Sequence, residues 1–275
     1  MAQRIFDFHS SPHGDGPSFV FDTRTRFLTT TPPFQSPKNC PDFWAVGHTI
    51  YALGRAEDDN IQRIPEPCVF ERLGPQPELF HGRWQWEALP PPPFKPGRHH
   101  VVSHAVHPDG STLFLSVYDT GTFSFDGERR AWASHGGWLL PFDGEAHYVH
   151  ELGAWVGLCS RRRGRIAACK VVDGGAAAEE PAWKSGKDVL FRQKSERHLE
   201  ANLTYMGNAE FCLQETLKRK GHFDTFGLIL PVLARVVTFR VQYSWDGELC
   251  VVDRRARIYK LALHSANRKP LAFWI

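Results

Sequence analysis

The sequence predicts an all-β chain assembled from one repeated four-stranded unit, and three observations carry that expectation. Short alternating apolar runs are separated by Gly, Pro and Asp turns along most of the chain. Twenty Phe and nine Trp stand against two Met in 275 residues, a mix that suits pleated, half-buried surfaces better than helices. One pattern also recurs with a period near fifty residues.

The pattern is clearest at Phe125-Asp126-Gly127-Glu128-Arg129-Arg130-Ala131-Trp132, which runs on through Trp138 to Pro141-Phe142. An apolar run ends in an acid, polar residues follow, then a large apolar residue, usually Trp, and last an ending in Pro or Phe. Other copies run from Phe19-Val20-Phe21-Asp22 to Thr31-Pro32-Pro33-Phe34, and from Val69-Phe70-Glu71 through Trp84 and Trp86 to Pro90 and Phe94. A further copy runs from Val171-Val172-Asp173 through Trp183 to Val189-Leu190-Phe191. The acids Asp22, Glu71, Asp126 and Asp173 are 49, 55 and 47 residues apart. Self-similarity at this period is the mark of propeller blades. The expected fold is therefore a single closed kelch-like β-propeller of five blades, with six blades, one of them incomplete, as the alternative.

Taken in order, residues 4–9 alternate, a Gly/Pro loop follows, and Phe19–Phe21 and Arg26–Thr29 flank a turn at Asp22–Thr25. Prolines between 32 and 41 cannot continue a ladder, so that stretch is a connector. The blade at 43–94 shows four strand-sized runs: 43–46, 50–53, 68–70 and 84–89, with Gly47-His48 as the first turn. The blade at 99–142 repeats the plan, and its Asp109-Gly110 between alternating runs is a strong hairpin signal. A third blade spans 145–191, and a fourth, at 200–253, is interrupted at Thr216–Arg235 by what reads as an insertion with a short helix. The last run, Ile258 to Leu263, is expected to pair with the N-terminal copy at 1–34, whose three runs lack a fourth. That pairing would close the ring and remove exposed edges.

Several strings resemble a known family. They include Ala105-Val106-His107-Pro108-Asp109-Gly110-Ser111, Gly121-Thr122-Phe123-Ser124-Phe125-Asp126 and Trp138-Leu139-Leu140-Pro141-Phe142. Leu152 to Cys159, Lys187 to Phe191 and Glu196-Arg197-His198-Leu199 belong to the same set. Together they resemble a kelch-like group expanded in cereal grasses, a domain of unknown function numbered sixteen-sixty-eight. The resemblance covers nearly the whole chain. It implies a propeller and a plant origin, and it brings no activity or functional residues with it.

A formal net charge of +3 is too small to imply nucleic-acid binding without clustering. No run of about 18 apolar residues is present and the N-terminal stretch lacks a signal-peptide core, so a soluble protein of the cytosol, with the nucleus also open, is expected. Cys40, Cys68, Cys159, Cys169, Cys212 and Cys250 contain no Cys-x-x-Cys pair and read as reduced, buried residues. The usual hydrolase, nucleotide-binding and zinc-protease motifs are absent. His99, His100, His104 and His107 crowd one strand and its approach, but alternation sends them to opposite faces, so no metal or other cofactor is expected. Trp84, Trp86, Trp132, Trp138 and Trp183 recur at one place in the repeat, which favours packing between blades over a stacking surface for a ligand.

Three basic clusters remain: Arg98-His99-His100, Arg161-Arg162-Arg163 and Lys218-Arg219-Lys220. In a propeller the loops between second and third strands and the links between blades emerge at one end of the ring, and all three clusters lie in such segments. A shared basic face would attract an acidic partner. Glu57-Asp58-Asp59 in an equivalent loop breaks its uniformity and disfavours generic nucleic-acid binding. The acids Asp22, Glu71, Asp126 and Asp173 are expected to act alike as turn caps. The functional expectation is a non-enzymatic, monomeric scaffold that presents this loop face to a protein with an acidic surface. The alternatives are a small-molecule site or enzyme in the central channel, or polyanion binding through the basic loops.

Overall fold

The computed structural model describes residues 4–7, 19–22, 25–36, 38–55, 69–75, 84–94, 101–173, 179–191, 198–223 and 229–260. Sheet I contains β1 (Arg4–Asp7), β2 (Phe19–Asp22) and β3 (Leu28–Thr30) in that order. Sheet II is an antiparallel meander of β4 (Asn39–Val46), β5 (Thr49–Arg55), β6 (Phe70–Pro75) and β7 (Trp84–Leu89). Sheet III contains β8 (Val101–Val106), β9 (Thr112–Val117), β10 (Gly121–Asp126) and β11 (Ala131–Gly136). Sheet IV contains β12 (Phe142–Val149), β13 (Ala154–Cys159), β14 (Ile166–Lys170) and β15 (Trp183–Ser185). Sheet V contains β16 (His198–Gly207), β17 (Glu210–Phe223), β18 (Ile229–Tyr243) and β19 (Leu249–Lys260). A single turn of 3-10 helix, His150–Leu152, links β12 to β13, and no described helix is long and apolar enough to cross a membrane.

Sheets III and IV join through their first strands, where β8 and β12 pair in parallel with Gly144 opposite Ser103 and Ala146 opposite Ala105. First strands therefore lie side by side, and the other three strands of each sheet fan away from them. Sheet V continues the series, since His147 on β12 donates from Nε2 to the Leu203 carbonyl on β16 at 3.3 Å.

The sheets stack face to face, and this explains why β9 and β13 are apolar almost throughout. Successive strand residues point to opposite faces. On β9, Leu113, Leu115 and Val117 enter the core shared with sheet II, while Phe114 enters the core shared with sheet IV. On β13, Trp155 and Cys159 face sheet III, while Ala154, Val156 and Leu158 face sheet V. A strand buried on both faces reads as a near-continuous apolar run. The far face of sheet V adds no apolar core cluster among the described residues; there Arg240 pairs with Glu210 and Asp253 instead.

The repeated Trp residues lock neighbouring units together. Trp86 on β7 donates its indole N–H to the Pro32 carbonyl at 3.1 Å and packs on Phe34, ring centroids 4.5 Å apart. One unit later, Trp132 on β11 donates to the Pro90 carbonyl at 3.0 Å and packs on Phe94 at 5.7 Å. At these two junctions a unit thus receives the Trp of the next against its own proline and phenylalanine ending, which is why those features recur together there.

Two sequence expectations are corrected. Thr216–Arg235 holds no helix in its described part, because β17 and β18 extend as one long hairpin with Leu217 opposite Leu233 and Lys218 opposite Pro231. The expected pairing of Ile258 to Leu263 with the N-terminal copy is also absent for residues 258–260, the described part of that run. Ile258 lies opposite Arg235 of β18, within β19, and residues 261–263 fall outside the described part. Asp253 explains the difference. It resembles the turn acid Asp22 in sequence, yet it takes a positive φ of 54° and its strand slips register between Thr238 and Arg240, so the chain bulges and continues instead of turning. Among the described residues no sheet closes on itself.

Buried polar groups between sheets III and IV form a short relay. Leu140 N–H donates to Ser116 Oγ at 2.9 Å, and Thr122 Oγ1 donates to the Trp138 carbonyl at 2.7 Å. The Ser116 to Thr122 contact at 2.9 Å must then run from the Ser hydroxyl to the Thr oxygen. Beside it, His135 is 1% exposed and meets Ser124 through Nε2 at 2.8 Å, while its Nδ1 and the hydroxyl of Ser103 find no partner among the described residues. Burial pushes the His135 imidazole below its ordinary 6.5, and it does the same to His104 on β8. Below 6.5 the unfolded chain gains protons that the folded chain refuses, so stability is full above that pH and falls as pH drops. The melting temperature should accordingly decline between about pH 7 and pH 5.5, and less so in His135→Asn. A flat wild-type profile over that interval would contradict the buried neutral imidazole.

Candidate functional site

The expected acids do not act alike. Asp22 accepts the Thr25 backbone N–H at 2.9 Å, and Asp126 accepts those of Glu128 and Arg129, both at 2.9 Å, so each sits in the geometry of a turn cap. Glu71 departs from the expectation. It is fully buried, pairs with Lys38 at 2.6 Å, and accepts the backbone N–H groups of Gln35 and Ser36 at 3.3 and 3.0 Å. Its physical reason is position: on β6 its side chain points across to the connector before β4, not into its own turn. Asp173 is exposed at the margin of residues 174–178, which are outside the described part.

Arg98, His99 and His100 also lie outside the described residues, as do the side chains of Arg219 and Lys220 within β17. Lys218 is half-buried on the extended hairpin, next to the level at which Leu217 faces His198 of β16. Arg161, Arg162 and Arg163 are exposed on the turn between β13 and β14.

That turn is held firmly. Cys159 N–H donates to the Arg165 carbonyl at 2.8 Å, and Arg162 N–H points at Cys159 Sγ at 3.3 Å. Gly164 has a φ of +83° and lies so close under the Phe191 carbonyl that any Cβ would collide with it. Its own carbonyl accepts the Leu190 N–H at 2.7 Å. The arginines then divide. Arg161 pairs with Glu180 at 3.0 Å and lies over the Trp183 ring at 5.2 Å, and Arg165 donates to the carbonyls of Gly186 and Lys187. Arg162 and Arg163 make no ion pair among the described residues and project from a fixed backbone.

Beside Arg163, a cavity of about 270 Å³ opens between sheets IV and V, lined by Asp143 from β12, Phe191 from the connector and His198, Glu200 and Asn202 from β16. Of the lining residues, His198 also belongs to a network that spans three strands. Glu215 on β17 receives His198 Nδ1 at 2.9 Å and Arg235 of β18 at 2.8 Å. A carboxylate held by a guanidinium only accepts, so Nδ1 of His198 carries the hydrogen. The Phe191 ring stacks on His198 with centroids 4.7 Å apart and planes 11° from parallel. Arg235 and Arg254 both donate to the Leu190 carbonyl, at 2.9 and 3.2 Å, and pin the connector to sheet V.

Sequence reasoning missed this network. A signal existed: Phe211, Leu213 and Glu215 share one face of β17 by alternation, so Glu215 is a charge at a core-facing position that needs a partner. Among the described residues no three His, Cys, Asp or Glu side chains converge as metal ligands. Burial drives the Cys169 thiol up to about 12, which makes it inert as a nucleophile.

Among solved structures, the chain is similar to a protein of unknown function from Bacteroides thetaiotaomicron, at 11% identity over 91% of this chain and 55% of that one, with a TM-score of 0.47. It is similar to TolB from Acinetobacter baumannii at 14% identity over 90% and 52%, with a TM-score of 0.44. A fungal alcohol oxidase of the AA5 family, solved in complex with copper, matches at 13% identity over 95% and 62%, with a TM-score of 0.34. The chain spans about half the length of the first two of these structures. No curated protein matches it in sequence. Residues 4–259 match one family along almost the whole chain, and the protein belongs to that family, described as protein of unknown function (DUF1668).

Proposed function

We propose that the protein is a non-enzymatic scaffold of propeller type that recruits an acidic partner protein through the turn bearing Arg162 and Arg163. Five units arranged about a common axis, as the parallel pairing of β8 with β12 suggests, would present the second-to-third strand turns and the links between sheets at one end. The observation that carries the reading is the division among the arginines. Arg161 and Arg165 are consumed by the fold, whereas Arg162 and Arg163 stand exposed, without ion pairs among the described residues, on a backbone clasped by Gly164 and Phe191. Two cations on a backbone that is already ordered spare the cost of ordering the turn and steer an acidic surface over distances set by salt.

Random peptides displayed on phage and panned against the full chain test this. The expected selection is enriched in Asp and Glu, weakens at about 1 M salt, where the Debye length is about 3 Å, and loses about tenfold in affinity, near 1.4 kcal/mol, on Arg162→Ser with Arg163→Ser. Selected peptides without acidic excess, or with unchanged affinity for the double variant, would refute the reading. Stability should barely move, since both side chains are exposed.

A further inference from the structure

The last strand of each four-stranded unit forms an edge, and in three units that edge is short: β7 and β11 have 6 residues and β15 has 3. β19 has 12. A long free edge is a template for a further strand, which is why native sheets restrict them. The first part of this one is closed by the connector after β15. Val251 N–H donates to the Asp188 carboxylate at 3.0 Å, and Arg254 donates to the carbonyls of Val189 and Leu190 at 3.1 and 3.2 Å. Past the bulge at Asp253, residues 255–260 pair with β18 on one side, and no described strand takes the other. All of these residues are exposed, and they include Arg255, Arg257 and Lys260 with no acid among them. From this open, cationic edge we infer that β19 is the docking strand for an extended acidic segment of a partner protein, which adds to sheet V as a further strand.

Charge and alternation decide the occupant. Arg255, Arg257 and Tyr259 stand on one face of the sheet, opposite Thr238, Val236 and Ala234 of β18. Ala256 and Ile258 stand on the other, opposite Val237 and Arg235. Neither Arg255 nor Arg257 makes an ion pair among the described residues, and Ile258 is 61% exposed. A strand that alternates Asp or Glu with Val or Ile answers both faces at once, with acids beside the arginines and apolar side chains beside Ala256 and Ile258. Main-chain hydrogen bonds to the edge supply affinity, and the alternating side chains supply specificity. A second copy of β19 would set Arg and Lys against Arg and Lys, and like charges across strands repel. Residues 261–275, which follow the strand, contain no Asp or Glu and so lack the complementary charge.

Strand addition goes beyond the recruitment of an acidic partner at Arg162 and Arg163 and does not rest on it. The probe is the peptide Glu-Val-Glu-Ile-Glu-Val-Glu, titrated into the full chain while amide hydrogen exchange is read residue by residue by NMR. The outward amides of residues 255–260 should exchange fast in the free chain and at least about tenfold more slowly with peptide bound. Two further peptides carry N-methyl groups on alternate amides, one peptide for each set. Only one set faces β19 in an added strand, so one peptide should lose at least about tenfold in affinity while the other keeps it. Arg255→Ser with Arg257→Ser should weaken the unmodified peptide about fivefold, with the fold intact because both side chains are exposed. No saturable binding up to about 1 mM peptide, or equal affinity of the two methylated peptides, would overturn the assignment. Outward amides already slow in the free chain would overturn it too, since residues 261–275 or a second copy would then occupy the edge. Binding that ignores methylation but falls on Arg162→Ser with Arg163→Ser would remove the added strand and leave the recruiting turn standing.

Discussion

Glu71→Ala should lower the unfolding free energy by about 3–5 kcal/mol, the cost of stranding one partner of a buried ion pair. The Lys38 and Glu71 side chains are both fully buried and 2.6 Å apart. Glu71 also accepts two backbone N–H groups, while Lys38 donates to the Ser36 carbonyl at 3.3 Å and lies over the Phe34 ring at 4.7 Å. Removing the carboxylate takes its counter-charge from the buried ammonium and frees the Gln35 and Ser36 N–H groups, which weakens the anchor of the connector between sheets I and II. Glu71→Gln keeps acceptor capacity for the N–H groups but not the charge, and should fall between Ala and wild type. Joining Lys38→Met to Glu71→Ala removes both charges and should recover much of the loss, since buried pairs replaced by apolar groups are often near neutral. Chemical denaturation measures all four proteins. A loss below about 1 kcal/mol in Glu71→Ala would show that water reaches the pair and screens it.

This pair also marks how far the sequence could be read. Glu71 occupies the same place in its repeat as Asp22 and Asp126, and the repeat alone makes them equivalent. What separates them is a partner 33 residues upstream, Lys38, which no local pattern reveals. Strand positions were legible for the opposite reason: burial on two faces leaves a local trace. The expected runs at 84–89, 101–106 and 154–159 coincide with β7, β8 and β13 because each lies between two cores. Legibility failed where a turn signal was absorbed by a bulge, at Asp253, and where a long hairpin carried charged residues, at Lys218-Arg219-Lys220. At the site, the exposed arginines were visible as a charge run. The His198–Glu215–Arg235 network was not, because its members sit on three strands and meet only through pairing register.

Trp86→Ala should cost about 3–5 kcal/mol, the usual range for deleting a large buried aromatic ring. The indole is 1% exposed, among Ile50, Ala52 and Leu73, with Phe34 and Phe43 packed against the same cluster. Its N–H holds the Pro32 carbonyl, and its own carbonyl receives the Gln35 side-chain amide at 2.7 Å. Trp86→Phe keeps most of the apolar contact and gives up the hydrogen bond, so about 1–2 kcal/mol should be lost, the bond itself contributing about 1. Trp132→Phe breaks the equivalent bond to Pro90 one unit later, at a less enclosed ring, and should lie nearer 1 kcal/mol. The two Phe variants should add when combined, because they act at different inter-sheet cores. These values separate the two roles a recurring Trp can play. A platform for stacking a ligand must expose its ring, and its removal would abolish binding with little loss of stability. A ring that clamps one unit to the proline ending of the previous one must behave in the reverse way. Trp86→Ala within about 1 kcal/mol of wild type would therefore overturn the clamp, and with it the physical reason for the repeat.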